Sequence, residues 1–255
     1  MTDYLMPNLV KSCQVINLLN KTKEGLLATE IERELGIPRA TLFRILKTLC
    51  RQEFIQKQKR CYVIGNSLIE IGLQTISESR LRTNATPILT ELAHTTGYTT
   101  ILAIPNHYHA TILEYCESES SLKVSSALGS QSALHNSAVG KVFMAHRFAD
   151  RVDELSESVG FAATTNKTLT SLDLIEEDIR RIIARGYAIE DREANFNVRA
   201  LAVPVFDANG KVVASIGILA PANLFTVAQT PLLSRQVKEA ARKFYYAAGL
   251  SLTGE

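Results

Sequence analysis

The chain has 255 residues, 46% of them apolar and 21% charged, with a formal net charge of +2 and a mean hydropathy of +0.03. That describes an ordinary soluble protein with enough length for two domains, of about 65 and about 170 residues. No stretch approaches the roughly 20 apolar residues of a membrane span, and the N-terminus lacks a basic region followed by a long apolar run, so a cytoplasmic location is expected. Cys13, Cys50, Cys61 and Cys116 show neither C-x2-C spacing nor clustered histidines. They read as plain apolar thiols, with no disulfide, zinc knuckle or redox pair.

The small net charge hides a basic head. Residues 1–65 hold 11 Lys and Arg against 6 Asp and Glu, or +5, whereas the remaining 190 hold 17 against 20, or −3. Within that head, residues 29–64 carry two short helical patterns broken at Gly36. Ile31 and Leu35 lie four apart on one face, and Thr29 precedes them as a capping hydroxyl. Gly36 can turn the chain in a left-handed conformation, and Pro38 suits the opening turn of a second helix. In that helix Leu42, Ile45, Leu46 and Leu49 form the buried stripe, leaving Arg39, Thr41, Phe43, Arg44 and Lys47 on the other faces. Those are groove-reading residue types, as a recognition helix requires. Two short strands, Phe54–Ile55 and Cys61–Ile64, come next as a wing whose Lys57, Lys59 and Arg60 suit phosphates. The alternative, a helical hairpin with a solvated charge run, is disfavoured by the charge asymmetry, since neutralised phosphates release counterions and supply affinity.

Residues 66–82, with Leu68, Ile71, Leu73 and Ile76, read as a connecting helix without a Pro/Gly-rich tether, so coupling between the two domains can be mechanical. Next come an amphipathic segment over Ile88, Leu89, Leu92 and Ala93 that stops at Gly97, and strand-like runs at Thr99–Ile104, Ala110–Cys116 and Leu122–Ala127. Helices are expected at Ala138–His146 and Leu172–Arg185, the latter acidic at its start, basic at its end and stopped by Gly186. Two apolar runs, Ala200–Phe206 and Val212–Leu219, flank the Asn209-Gly210 turn, and a helix over about 228–247 closes the chain. Neighbouring strands punctuated by helices, without regular alternation, indicate an α+β architecture with an antiparallel sheet flanked by helices.

The strings GIPRATLFRILKTL, LHNSAVGK (134–141), GYAIEDREA (186–194) and ALAVPVFDANGKVVASIGI (200–218), in this order and spacing, resemble the IclR family of bacterial transcription regulators across nearly the whole chain. The resemblance implies a winged helix-turn-helix over 1–65, the connecting helix over 66–82 and a GAF-like domain over 83–255 that binds a small metabolite. It also implies dimers or dimers of dimers on operator DNA. Within that frame Arg39 and Thr41 are assigned to base edges, Arg44 to bases or phosphates, and the wing cations to phosphates that set register. For Arg44 a salt bridge to Glu30, Glu32 or Glu34 is the competing reading.

The metabolite site is argued from LHNSAVGK. A serine at a helix start caps one amide and leaves others facing outward, which with the helix dipole makes an anion site. The family places small organic acids there, which carries the expectation to Ser137, Ala138 and Val139; for a sugar acid, His135, Asn136 or Glu190 would supply the hydroxyl contacts. Glu190 is the aligned acidic position opposite, with Asp191 next to it; an acid facing an anion must accept from a hydroxyl or be protonated. Solvated loop charges for Glu190 and Asp191, and a purely capping role for Ser137, are the bland alternatives. Where better-known members carry a cysteine and two hydroxyl residues, this chain has Ala200, Gly217 and Leu219. Glyoxylate or pyruvate would find few partners, and a larger acid with an aromatic or sugar-derived body is expected instead.

An enzyme would need a catalytic constellation, and G-x-S-x-G, H-E-x-x-H, G-x-G-x-x-G and P-loop patterns are all missing. No catalytic residue or cofactor is assigned. His107 and His109 have strand spacing that could hold a metal, but no acidic pair stands near in sequence, so no metal site is assigned either. The stronger rival is a ligand sensor acting through protein partners. The reading adopted is an operator-binding regulator, a repressor by resemblance with activation as the alternative. A small acid would bias the connecting helix and hence the spacing of two recognition helices in a homo-oligomer.

Overall fold

The computed structural model describes residues 4–22, 24–77 and 79–250, with Ile76 and Ser77 by backbone alone. Contacts divide the chain between Ser79 and Arg80 into two units. In the first, α1 (Pro7–Leu19), α2 (Ala28–Leu35) and α3 (Arg39–Arg51) enclose a core that includes Val15, Leu19, Ile31 and the stripe Leu42, Ile45, Leu46 and Leu49. The wing is an antiparallel sheet of β1 (Leu26–Leu27), β2 (Ile55–Gln58) and β3 (Cys61–Ile64), with β3 in the centre. Gly36 ends α2 at φ 61°, a conformation that a side chain would oppose.

Two local expectations change. Thr29 lies inside α2 and does not cap it; the Glu30 carboxylate accepts from the Leu27 N–H at 2.7 Å and closes the helix start instead. Pro38 stands just before α3, at its N-cap. α1 escaped sequence reading because only Val15 and Leu19 of its apolar residues are buried, while Leu9 and Val10 are exposed.

The single connecting helix expected over 66–82 is two helices, α4 (Asn66–Ser77) in the first unit and α5 (Arg80–Thr96) in the second, with Ser79 non-helical. The reason is local. Arg82 Nε donates to Glu114 at 2.6 Å and Thr86 Oγ1 to the same oxygen at 3.3 Å, which ties the first turns of α5 to its own unit's sheet. Glu78 and the Ile76 side chain, counted toward that helix, lie outside the described residues.

The second unit continues with β4 (Thr99–Asn106), β5 (His109–Cys116), β6 (Gln131–Ala133), α6 (Ala138–Arg147), α7 (Val152–Val159), α8 (Leu172–Arg185), β7 (Ala188–Asp191), β8 (Val198–Phe206), β9 (Val212–Pro221) and α9 (Thr230–Ala247). One antiparallel sheet runs β6-β5-β4-β9-β8-β7. Alternate residues serve opposite faces: Ile101, Ala103, Ala200 and Ala202 pack with α6, α7 and α8, whereas Leu102, Leu201, Val203 and Ile216 pack with α5 and α9. Burial on both faces explains why β8 and β9 read as continuous apolar runs.

Residues 122–127 form no strand. Gly129 N–H donates to Ile112 O at 2.8 Å and Ile112 N–H to Ser130 O at 2.9 Å, so the edge of β5 is taken by Gly129 and Ser130 and then by β6. The preceding stretch is left as a serine-rich loop. Close packing of β6 against α6 depends on Gly140, where a Cβ would lie 2.0 Å from Ala133 O. Gly140→Ala is therefore expected to lose about 1–3 kcal/mol of stability in denaturant titration, and an unchanged midpoint would show that this approach can relax.

Candidate functional site

In the first unit, α3 turns Leu42, Ile45, Leu46 and Leu49 inward and leaves Arg39, Phe43, Arg44 and Lys47 exposed, with Thr41 half-buried on the flank. Lys57, Lys59 and Arg60 are exposed on the wing, Lys59 at φ 55° in the turn between β2 and β3, and Lys57 Nζ lies 5.8 Å from the Tyr62 ring centroid. Among the described residues none of these six cations makes an ion pair; the pair found in this unit joins Arg33 to Glu34. Arg44 thus makes no bridge to Glu30, Glu32 or Glu34. An uncompensated cationic helix face beside a cationic hairpin matches a polyanion.

In the second unit, a cavity of about 510 Å³ opens at the N-terminus of α6. Its floor is a row across the sheet, Glu190 on β7 opposite Ala200 on β8, which stands opposite Leu219 on β9; in the next row Ala202 faces Gly217 and Gly217 faces Ile101. Ile112, Val139 and Val198 complete apolar walls. Ser137 caps α6, its Oγ accepting from Gly140 N–H at 3.1 Å and donating to Ala133 O at 2.6 Å. With that hydroxyl engaged both ways, the amides of Ala138 and Val139, ahead of the first intrahelical bond, are the donors left at the cavity.

Glu190 is 1% exposed and lines the cavity. Its Oε1 accepts from Glu193 N–H at 2.7 Å and Ala194 N–H at 3.2 Å. Burial pushes its pKa up to about 7, and the neighbouring Glu193 carboxylate adds to the rise, against the pull of the two amides and of Lys141. Near neutrality it is therefore about half protonated, and it can donate to an anion as well as accept.

His135 and Asp191 do not line the cavity. The His135 ring packs 5.3 Å from Phe161 and its Nε2 donates to Ala162 O at 3.0 Å; burial depresses its pKa, so it is a neutral structural group. Asn136, its neighbour, donates to Thr164 Oγ1 at 2.6 Å. Asp191 comes after Glu190 on a strand and points to the opposite face, where it meets Arg199 Nε at 2.9 Å and Nη2 at 2.7 Å. Burial raises its carboxyl, but Arg199 overrides this and holds it below the usual carboxylate value. Sequence reading also missed Ser125, Ser126, Ser130, Ser132 and Asn195, which line the mouth. A strand expectation over 122–127 hid Ser125 and Ser126.

Behind the site, Lys141 is 1% exposed, and its Nζ reaches Glu193 at 2.6 Å, Asp178 at 2.9 Å and Ile189 O at 3.3 Å. Arg199, also buried, donates to Ala222 O and Phe225 O besides Asp191. No group of three His, Cys, Asp or Glu side chains able to hold a metal occurs among the described residues, nor does a helix long and apolar enough to cross a membrane.

Residues 73–246 match the family described as "Bacterial transcriptional regulator IclR C-terminal", and residues 9–59 match "IclR helix-turn-helix domain". The chain belongs to the IclR family. It is a transcriptional regulator with an N-terminal helix-turn-helix domain and a C-terminal antiparallel sheet flanked by helices. Among IclR relatives, it is 29% identical over 238 residues to HTH-type transcriptional regulator BhcR of Paracoccus denitrificans, spanning 92% of this chain and 85% of that one. It is 25% identical over 246 residues to transcriptional repressor IclR of Escherichia coli, spanning 95% and 90%. A solved IclR homolog from Microbacterium hydrocarbonoxydans, complexed with 4-hydroxybenzoate, superposes with a TM-score of 0.75 over 96% of this chain and 100% of that chain at 19% identity, which speaks for the fold.

The raised Glu190 pKa has a sign for stability in this IclR protein. From the ordinary carboxylate range up to about 7, the unfolded chain ionises Glu190 while the folded chain keeps it protonated. Stability is complete below the unfolded value and falls as pH rises through the folded one, by on the order of 3 kcal/mol. Glu190→Gln cannot ionise and keeps the acceptor, so its stability relative to the parent should grow by that order between pH 4 and pH 8. Parallel pH profiles in urea titrations would show that Glu190 is not protonated in the fold.

Proposed function

We propose that this chain is a repressor that grips operator DNA through α3 and the wing, and that a small carboxylic acid held in the cavity at the start of α6 controls that grip. The observation that carries the proposal is the pairing, in one cavity, of two free helix-start amides with a buried Glu190 able to share a proton. Amides at the positive end of a helix favour an anion, and a protonated Glu190 can donate to it without like-charge repulsion. Apolar walls from Ile101, Ile112, Val198 and Leu219 then accept the body of the acid, and the rim serines accept hydroxyls it carries. An aromatic hydroxy acid fits this distribution better than glyoxylate, which would leave most of about 510 Å³ unfilled. The 4-hydroxybenzoate in the Microbacterium structure supports that class, and the repressor named among the relatives supports the direction of control. Sugar-derived acids remain the second class, because five serines and Asn195 line the same cavity.

A homo-oligomer, dimer or dimer of dimers, is part of the proposal, since paired recognition helices span half-sites about one DNA turn apart. A ligand that prefers one arrangement of the second unit can shift operator affinity only by its differential affinity for the two arrangements. Ligand control of DNA binding needs no catalytic step, and it acts in the compartment that holds the operator.

Two measurements test this function. Arg39→Ala and Arg44→Ala should each weaken binding to a genomic operator duplex about tenfold or more, flatten its salt dependence, and leave ligand binding unchanged. If the parent shows no salt-sensitive binding to any duplex, the DNA arm fails. In calorimetry, 4-hydroxybenzoate should bind where glyoxylate does not, and its affinity should fall about tenfold per pH unit above 7 as Glu190 ionises. Glu190→Gln should remove that slope; a slope equal to the parent's would remove Glu190 from the ligand contact.

A further inference from the structure

We infer that Phe43 reads thymine: its ring takes the C5-methyl group of a thymine in the major groove and thereby fixes an A·T pair in each half-site. This rests on the reading of α3 as the recognition helix. Phe43 is 64% exposed and belongs to none of the three apolar clusters. Arg39 stands four residues before it and Lys47 four after, so all three share one helix face, with Ala40 and Arg44 beside them. None of these cations has an ion pair among the described residues.

An apolar ring amid uncompensated positive charge is badly placed for a protein interface, which would have to bury those charges unpaired. Duplex DNA resolves both features at once. Phosphates neutralise the cations, and the thymine methyl is the one apolar feature on the base edges of the major groove. Phenylalanine has no donor or acceptor, so a methyl is the only base-edge group it can select. The small exposed side chain of Ala40, one turn earlier, lets the helix approach the base pairs on that side.

The test uses the full-length protein and a duplex enriched from a randomised pool by the parent. Each thymine is then replaced singly by uracil, which removes the methyl and keeps the pairing. At one or two positions per half-site the parent should bind about fourfold more weakly, the worth of one buried methyl-sized group. Phe43→Ala should be indifferent to the same replacements, and Phe43→Leu should keep part of the discrimination. If the parent binds every uracil duplex as well as the thymine duplex, the proposal is overturned and the DNA-binding reading stands. It is equally overturned if Phe43→Ala keeps the parent's discrimination, or if that variant instead changes the oligomeric state in sedimentation. Failure of the parent to enrich any duplex would bring down the DNA-binding reading itself, and this proposal with it.

Discussion

Lys141 holds the second unit's site together. An ammonium group at 1% exposure is tolerable only because Glu193 and Asp178 compensate it, and those partners come from the turn after β7 and from α8. One side chain therefore joins α6, α8 and that turn. Glu193, fixed by Lys141, presents its N–H to Glu190, which fixes the carboxyl that faces the cavity. Removing one member of such a cluster leaves a buried charge without its counterpart, at a cost of about 3–5 kcal/mol, so the cluster is an all-or-none device. Thr165 and Thr168 hydroxyls donating to Glu193 O, at 3.3 and 2.6 Å, tie the same turn to the loop before α8. The cavity wall is cross-braced on that side, and preorganised polar groups in a cavity are worth more than mobile ones.

The opposite side differs in kind. Residues 117–130 form a loop with exposed Ser125, Ala127 and Ser130, tied to the sheet by bonds at Gly129 and Ser130. Under the proposed function, a hydrogen-bonded helix start and Glu190 on one side would recognise charge, and a loop of small hydroxyl residues on the other would meet the body of the ligand. Loops placed on a rigid scaffold commonly carry binding residues for this reason.

Much of this is legible from residue order. The α3 stripe, the left-handed Gly36, α8 with its matched ends and the Asn209-Gly210 hairpin each come from local rules, and tertiary packing agrees with them. The features that escaped depend on partners distant in sequence. His135 and Asn136 sit in the motif that caps α6, yet their side chains are drawn to Ala162 and Thr164. Asp191 is separable in principle, because alternation along a strand sends neighbours to opposite faces, but no strand is expected over Ala188–Asp191 from the sequence, which hides that alternation. Leu122–Ala127 has strand composition and lacks a free edge to pair with. Lys141 ends a motif that draws the eye to its serine, and nothing local foretells its burial, since lysine is almost never fully buried without partners.

Selectivity depends on where the polar groups sit. With Ala200, Gly217 and Leu219 as floor, discrimination there is by size, and a methylene more or less shifts affinity by only about 1–3 kcal/mol. Under the proposed function, steep discrimination would belong to groups that are costly to leave unpaired, namely the amides of Ala138 and Val139 and the Glu190 carboxyl. A neutral ligand of the right shape would fill the floor and leave those groups without partners, losing more than its apolar contacts return. On the proposed function, such a site would select for an acid and be lenient about the body attached to it. The four serines at the mouth, Ser125, Ser126, Ser130 and Ser132, would be the remaining means of narrowing that body, and because a hydroxyl can donate or accept by rotation, they would narrow it gradually.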